Sequence, residues 1–157
     1  MIFFTLGTQK FQMNRLVQAA DDLAKKLDEE IFVQTGHSGY TPVNCDHTQF
    51  MNEADYNNRI KNCRILVTHA GVGTIISGLT AGKPVIVVPR LKKFNEHVDD
   101  HQLQIAEAFA KKKNVLSCPD VEELEKFIKK AETFSFEPYV VHGGKIEDIV
   151  QNFVDMF

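Results

Sequence analysis

The feature that most constrains this chain is an alternation: short runs rich in β-branched and aromatic residues, each followed by a longer stretch with apolar residues at helical spacing. Strand and helix patterns differ in period, about 2 against about 3.6 residues, so the two kinds of segment cannot exchange roles. Strands that alternate with helices are joined by crossovers, which makes the sheet parallel and covers both of its faces. The pattern predicts an α/β domain of three layers, helices on either side of a parallel sheet.

Residues 1–6 read as a first strand closed by Gly7, and residues 12–27 as a helix carrying Leu16, Ala19, Ala20, Leu23 and Leu27 on one face. A second strand over 30–35 leads into a polar loop over 36–46, a short third strand over 48–51 and a helix over 53–62. A fourth strand over 64–68 runs through a glycine-containing turn into a helix over 75–81, which Gly82 stops. Residues 84–88 are wholly apolar and mostly β-branched, the composition of a central strand covered on both faces. A loop over 89–98, a helix over 99–112, a strand over 114–117 and a helix over 120–131 follow, with Asp120 as N-cap and Glu123 in the capping-box position. The domain is expected to span 1–137. In the remaining 138–157, Ile146, Ile149, Val150, Phe153 and Val154 form an amphipathic helix whose stripe must lie on this domain or on a partner.

At 157 residues the chain is about one domain's worth. A net charge of -3 argues against a general affinity for nucleic acid, despite the local cluster Lys111, Lys112 and Lys113. No basic leader precedes the first apolar run, and no stretch approaches the roughly 18 apolar residues of a membrane span. Cys45, Cys63 and Cys118 are odd in number and contain no C-x-x-C pair, which fits a reducing compartment and an expected cytoplasmic location.

In an open parallel sheet, ligands bind outside the carboxyl ends of the strands, so the loops there carry the chemistry. Two stand out: Gly7, Thr8 and Gln9 after the first strand, and His69, Ala70, Gly71, Val72, Gly73 and Thr74 after the fourth. Glycines let backbone approach an anion, and the first turn of the following helix offers unpaired N–H groups at the positive end of its dipole, together a phosphate site. The alternative is that these glycines only permit a tight strand-to-helix turn. There is no G-K-[ST] of a P-loop, and Ile76 stands where a third dinucleotide-binding glycine would be.

The order T-H-A-G-V-G-T, G-K-P, V-P-R and H-V-D-D-H-Q, over residues 68–102, closely resembles the C-terminal domain of glycosyltransferase family 28. Within that family it is most similar to stand-alone bacterial subunits of two-part capsule and exopolysaccharide transferases, and to the catalytic subunit of the dolichol-linked UDP-N-acetylglucosamine transferase. The resemblance implies a Rossmann-like fold equivalent to the C-terminal half of a GT-B enzyme, and a UDP-sugar as donor. It implies that Gly7 and Thr8, with His69 to Thr74, contact the diphosphate, that Pro89 and Arg90 lie beside the uracil, and that His101 and Gln102 meet the hexose hydroxyls. Many family members carry a ribose-contacting glutamate where this chain has Ser77.

His97 and His101, four residues apart with Asp99 and Asp100 between them, could share a helix face, but the sequence supports no third metal ligand. Neither a metal nor another cofactor is expected. An inverting transfer also needs a base for the acceptor hydroxyl. Glu96 and His97 are weak candidates, and the resemblance implies that a membrane-anchored partner supplies both the base and the site for a lipid-linked acceptor. A homo-oligomer in isolation stays open. A nucleotide-sugar-binding regulatory subunit is the alternative to an enzyme; an epimerase would need carboxylates that the chain does not offer.

Overall fold

The computed structural model of the chain describes residues 1–139. Within them, strands β1 (Ile2–Thr5), β2 (Ile31–Gln34), β3 (Asp46–Thr48), β4 (Ile65–Thr68), β5 (Val85–Val87) and β6 (Leu116–Ser117) form one parallel sheet. Their order is β3-β2-β1-β4-β5-β6. The helices between and after them are α1 (Asn14–Lys26), α2 (Glu53–Asn62), α3 (Val72–Thr80), α4 (His101–Lys111) and α5 (Leu124–Ala131).

Alternation within each strand divides the core in two. Ile2, Phe4, Val67 and Ile86 point to one face, where they meet Leu16 and Ala20 of α1 with Leu124 and Ile128 of α5. Phe3, Leu66, Val85 and Val87 point to the other, against Ile60 of α2, Ile75 of α3 and Phe109 of α4. A fully buried side chain of this size contributes about 1.5–3 kcal/mol, so the two faces together drive folding. Helix α3 lies especially close to the sheet: a Cβ on Gly78 would sit 2.6 Å from Leu66 Cδ2 and 2.9 Å from Val85 Cγ2. That approach fixes the first turn of α3 at the mouth of β4.

The expected third strand falls earlier than the apolar pattern suggested, at Asp46–Thr48 rather than 48–51, and it is an edge strand. Asp46 and His47 are exposed there, so no apolar alternation was available to mark it. Strand β5 is covered on both faces as expected, yet the central pair is β1 and β4; β5 is one strand in from the edge. The helix expected from Asp99 begins at His101, because Asp99 Oδ1 accepts the His101 N–H at 3.0 Å and takes a cap's role. Asp120 does accept from Glu122 N at 3.0 Å, but the turn it opens is 3-10 and α5 proper starts at Leu124. The amphipathic stripe of 146–154 lies outside the described residues.

Among the described residues no helix is long and apolar enough to cross a membrane. All three cysteines are free. Burial pushes the Cys118 thiol up to about 12 and that of Cys45 to about 11, which keeps both protonated at neutral pH.

Candidate functional site

The chain leaves β1 toward β2 on one side of the sheet and leaves β4 toward β5 on the other, so a crevice opens between the carboxyl ends of these two neighbours. Gly7 closes β1 and His69 to Gly71 close β4, one on each lip. A cleft of about 630 Å³ occupies this position, large enough for a nucleotide-sized ligand. Of the residues expected at the site, Gly7, Thr8, Gln9, His69, Gly71, Gly73, Thr74 and Ser77 line it together. Ala70 and Val72 belong to the same turn but turn their side chains into the core.

Both glycines are required by His69. A Cβ on Gly7 would lie 2.4 Å from His69 Nε2, and one on Gly71 would lie 2.5 Å from His69 Cε1. Gly7 also has φ +73, in the left-handed region where a side chain is strained. The imidazole is 4% exposed, and burial, followed by the charge of Arg90, pushes its pKa down to about 3. It is therefore a neutral ring at the floor of the cleft. Just above it, the N–H groups of Val72, Gly73 and Thr74 open α3 with no preceding turn to bond to. The Gln9 carboxamide oxygen is buried without a partner among the described residues, on the same cleft.

Pro89, Arg90, His97, His101 and Gln102 do not line the cleft, and the structure gives several of them other work. Arg90 is 1% exposed. Its guanidinium donates to Leu6 O at 2.7 Å, Phe11 O at 3.0 Å and Glu96 O at 3.3 Å, stitching the end of β5 to the loop after β1. Burial lowers its pKa to about 10, which still leaves it cationic at neutral pH, beneath the two glycine turns. Gln102 is buried as well: its Oε1 accepts from Ala70 N at 3.1 Å and Arg90 N at 3.0 Å, and its Nε2 lies 3.3 Å from His69 Nδ1. Glu96 is not an exposed loop carboxylate. It is 1% exposed, accepts from Arg15 Nε at 2.8 Å and NH2 at 3.0 Å, and accepts from Leu91 N at 3.1 Å, so its lone pairs are committed to the fold. His97 stacks near Phe11, ring centroids 5.5 Å apart, and reaches Asp99 at 3.1 Å; His101 reaches the other oxygen of Asp99 at 3.4 Å. Among the described residues no group of three metal-ligating side chains comes together.

The cleft also contains residues that sequence reasoning passed over: Gln34, Phe50, Met51, Glu53 and Tyr56. Gln34 is structural, accepting from Thr5 Oγ1 at 2.6 Å and donating to Gly7 O at 3.1 Å and Gln49 O at 2.7 Å, which holds the Gly7 turn in place. Tyr56 of α2 packs edge-on against Phe3 of β1, ring centroids 6.1 Å apart. Phe50 is 43% exposed and lies edge-on to His37, ring centroids 5.2 Å apart, as an apolar part of the lining. Glu53, in the first turn of α2, is the acidic residue of the lining. Nothing in their spacing marked them, because β3 and α2 come from the stretch where the strand pattern is weakest; an exposed aromatic before a capped helix was the one available signal.

Comparison with known proteins identifies the fold and the family. The UDP-N-acetylglucosamine transferase subunit ALG13 of Candida albicans is 35% identical over 79 residues, covering 50% of this chain and 25% of that protein. The human protein of the same name is 25% identical over 126 residues, covering 74% of this chain and 11% of its own length. The chain thus spans a quarter or less of these two relatives. Among solved structures, the solution structure of ALG13 superposes with a TM-score of 0.62 at 18% identity, covering 95% of this chain and 94% of that one. MurG of Acinetobacter baumannii does so with 0.57 at 20% identity, covering 83% and 41%. At such identities the likeness is one of fold, here the Rossmann-like half of GT-B glycosyltransferases. The model of the glycosyltransferase family 28 C-terminal domain matches residues 1–142, and the chain belongs to that family.

Proposed function

We propose that this chain is the donor-binding, catalytic part of an inverting glycosyltransferase that takes a hexose from a UDP-sugar and acts with a membrane-anchored partner. One observation carries the reading. The unpaired N–H groups opening α3, the neutral His69 and the Gly7 turn converge on one cleft with the buried Arg90 cation beneath it. That is a site for a polyanion approached by backbone, with no metal ligand set required. Phe50 and Met51 offer an apolar face for a base, and Glu53 and Ser77, in the same lining, offer acceptors for ribose hydroxyls in place of the family's usual glutamate.

In the reaction, charge grows on the leaving diphosphate as the glycosidic bond breaks. Preformed donors in the α3 turn stabilise it without reorganising at that moment. The acceptor hydroxyl must lose its proton on the opposite side of the anomeric carbon. Glu96 is tied up by Arg15, so the base comes from the partner that also presents the lipid-linked acceptor. The names of these two relatives, each a UDP-N-acetylglucosamine transferase subunit, support a two-part enzyme; the sugar we propose is N-acetylglucosamine, glucose or galactose. In bacteria the product would be a cell-surface polysaccharide. The test is calorimetric binding of UDP and a panel of UDP-sugars to this chain, followed by transfer assays with and without the partner. Absence of UDP binding at millimolar concentration overturns the assignment; binding without transfer in either assay makes it a sensor.

A further inference from the structure

Gln102 sits where the family resemblance implies a contact to the hexose, yet its side chain is 4% exposed and bonded at both ends inside the protein. The orientation of its amide is settled by chemistry. Two backbone N–H groups, from Ala70 and Arg90, point at Oε1 at 3.1 and 3.0 Å, and only an oxygen can accept them. The NH2 group therefore faces His69 Nδ1 at 3.3 Å. An NH2 can only donate, so Nδ1 must be bare and the ring's proton must reside on Nε2.

We infer that Gln102 is a positioning residue that holds His69 as the Nε2–H tautomer, so that the cleft floor presents a hydrogen-bond donor to the ligand's phosphate. His69 lines the cleft, and with Nδ1 taken, Nε2 is the nitrogen it can offer. The glycines on either lip fit the same purpose, since a Cβ at either position would collide with the Nε2–Cε1 edge that faces the cleft. Three groups face the ring from the elements around it: Gln102 from α4, and Arg90 and His97 from the loop after β5, where the Arg90 cation opposes a second proton. The device also links the ends of β4, β5 and α4, because one carboxamide bonds to Ala70, Arg90 and His69 at once. A bare nitrogen pointing at a phosphate would repel it; the lock excludes that state.

The inference rests on the proposed anion site for its purpose but not for its geometry, and the experiment separates the two. Nitrogen-15 spectra of histidine-labelled full chain, with the His69 signals assigned by their absence in His69→Gln, report which ring nitrogen is protonated between about pH 5 and pH 8. The expected result is a protonated Nε2 and a bare Nδ1 throughout. A proton on Nδ1, or titration of the ring within that range, overturns the inference, and this measurement on the wild type decides even if variants fail to fold. Gln102→Glu keeps an oxygen toward both amides while replacing the NH2 by a second acceptor. At pH 8 it should move the His69 proton to Nδ1 and weaken UDP binding by about tenfold or more, the loss of a hydrogen bond to a charged group. Retention of Nε2–H with wild-type affinity also overturns it. If the wild type shows the expected tautomer but does not bind UDP, the transferase reading fails and the lock stands.

Discussion

Alanine at two glycines of one turn should have opposite effects on stability. In Gly71→Ala the new Cβ would start 2.5 Å from His69 Cε1 and 2.7 Å from Nε2, where ordinary contacts need about 3.5–4 Å. The ring edge would have to retreat by about 1 Å. It has little room to do so, since Gln102 stands at 3.3 Å from Nδ1 and is itself fixed by two backbone bonds. Overpacking of this kind costs about 1–3 kcal/mol. In Gly73→Ala the Cβ meets nothing within 4 Å and the residue is helical, so the variant should gain about 0.5–1 kcal/mol from the stiffer unfolded chain. The stabilities from urea unfolding at unchanged slope should therefore separate by about 1.5–4 kcal/mol, with the wild type between them. The methyl of Gly73→Ala enters the cleft where the diphosphate is proposed to lie, so the more stable variant should be the poorer binder, by about tenfold, or about 1.4 kcal/mol. Gly71→Ala as stable as the wild type would refute the packing argument; Gly73→Ala binding UDP normally would remove the phosphate from that turn.

Acid should weaken the fold through His69. Its unfolded pKa near 6.5 falls to about 3 in the native state, so stability is whole above 6.5 and drops as pH falls; by pH 4.5 the loss is about 3 kcal/mol. His69→Gln should lack that slope in parallel chemical unfolding series, and superimposable pH profiles would contradict it. Glu96→Gln should lose about 2–3 kcal/mol of stability by stranding Arg15 and weakening the bond to Leu91 N; a normally stable variant lacking transfer would instead make Glu96 the base. Asp21, 1% exposed, accepts from Asn44 N, Tyr40 Oη and Val43 N; burial works to raise its pKa, and these bonds outweigh it and lower it below 3.8. Asp21→Asn should cost about 2 kcal/mol at neutral pH; the difference should begin to shrink only below the unfolded pKa of 3.8 and vanish once the pH has fallen through the lowered native pKa, as thermal unfolding can check.

The order of elements was legible because strands buried on both faces leave continuous apolar, β-branched runs, as in Ile2–Thr5, Ile65–Thr68 and Val85–Val87. It failed at Asp46–Thr48, an edge strand whose outward residues need not be apolar. The glycine turns were legible for a similar reason: Gly7 and Gly71 are demanded by local backbone and a neighbouring ring, which leaves its trace in the residue type. Arg90, Glu96 and Gln102 were read as polar groups on ligand-facing loops, whereas they are bonded to partners as far as 84 residues away. Sequence separation on that scale hides a buried polar network, because each member alone resembles a solvated side chain. Phe50 and Glu53 were hidden by the opposite circumstance, an ordinary appearance in a segment without periodicity.

The Arg90 guanidinium has a mechanical consequence. By gripping carbonyls at Leu6 and Phe11 from the far side of the crevice, it clamps the two halves of the sheet together where they would otherwise splay. The loop after β1 is thereby held in place before any ligand arrives, so binding at this lip costs little reordering.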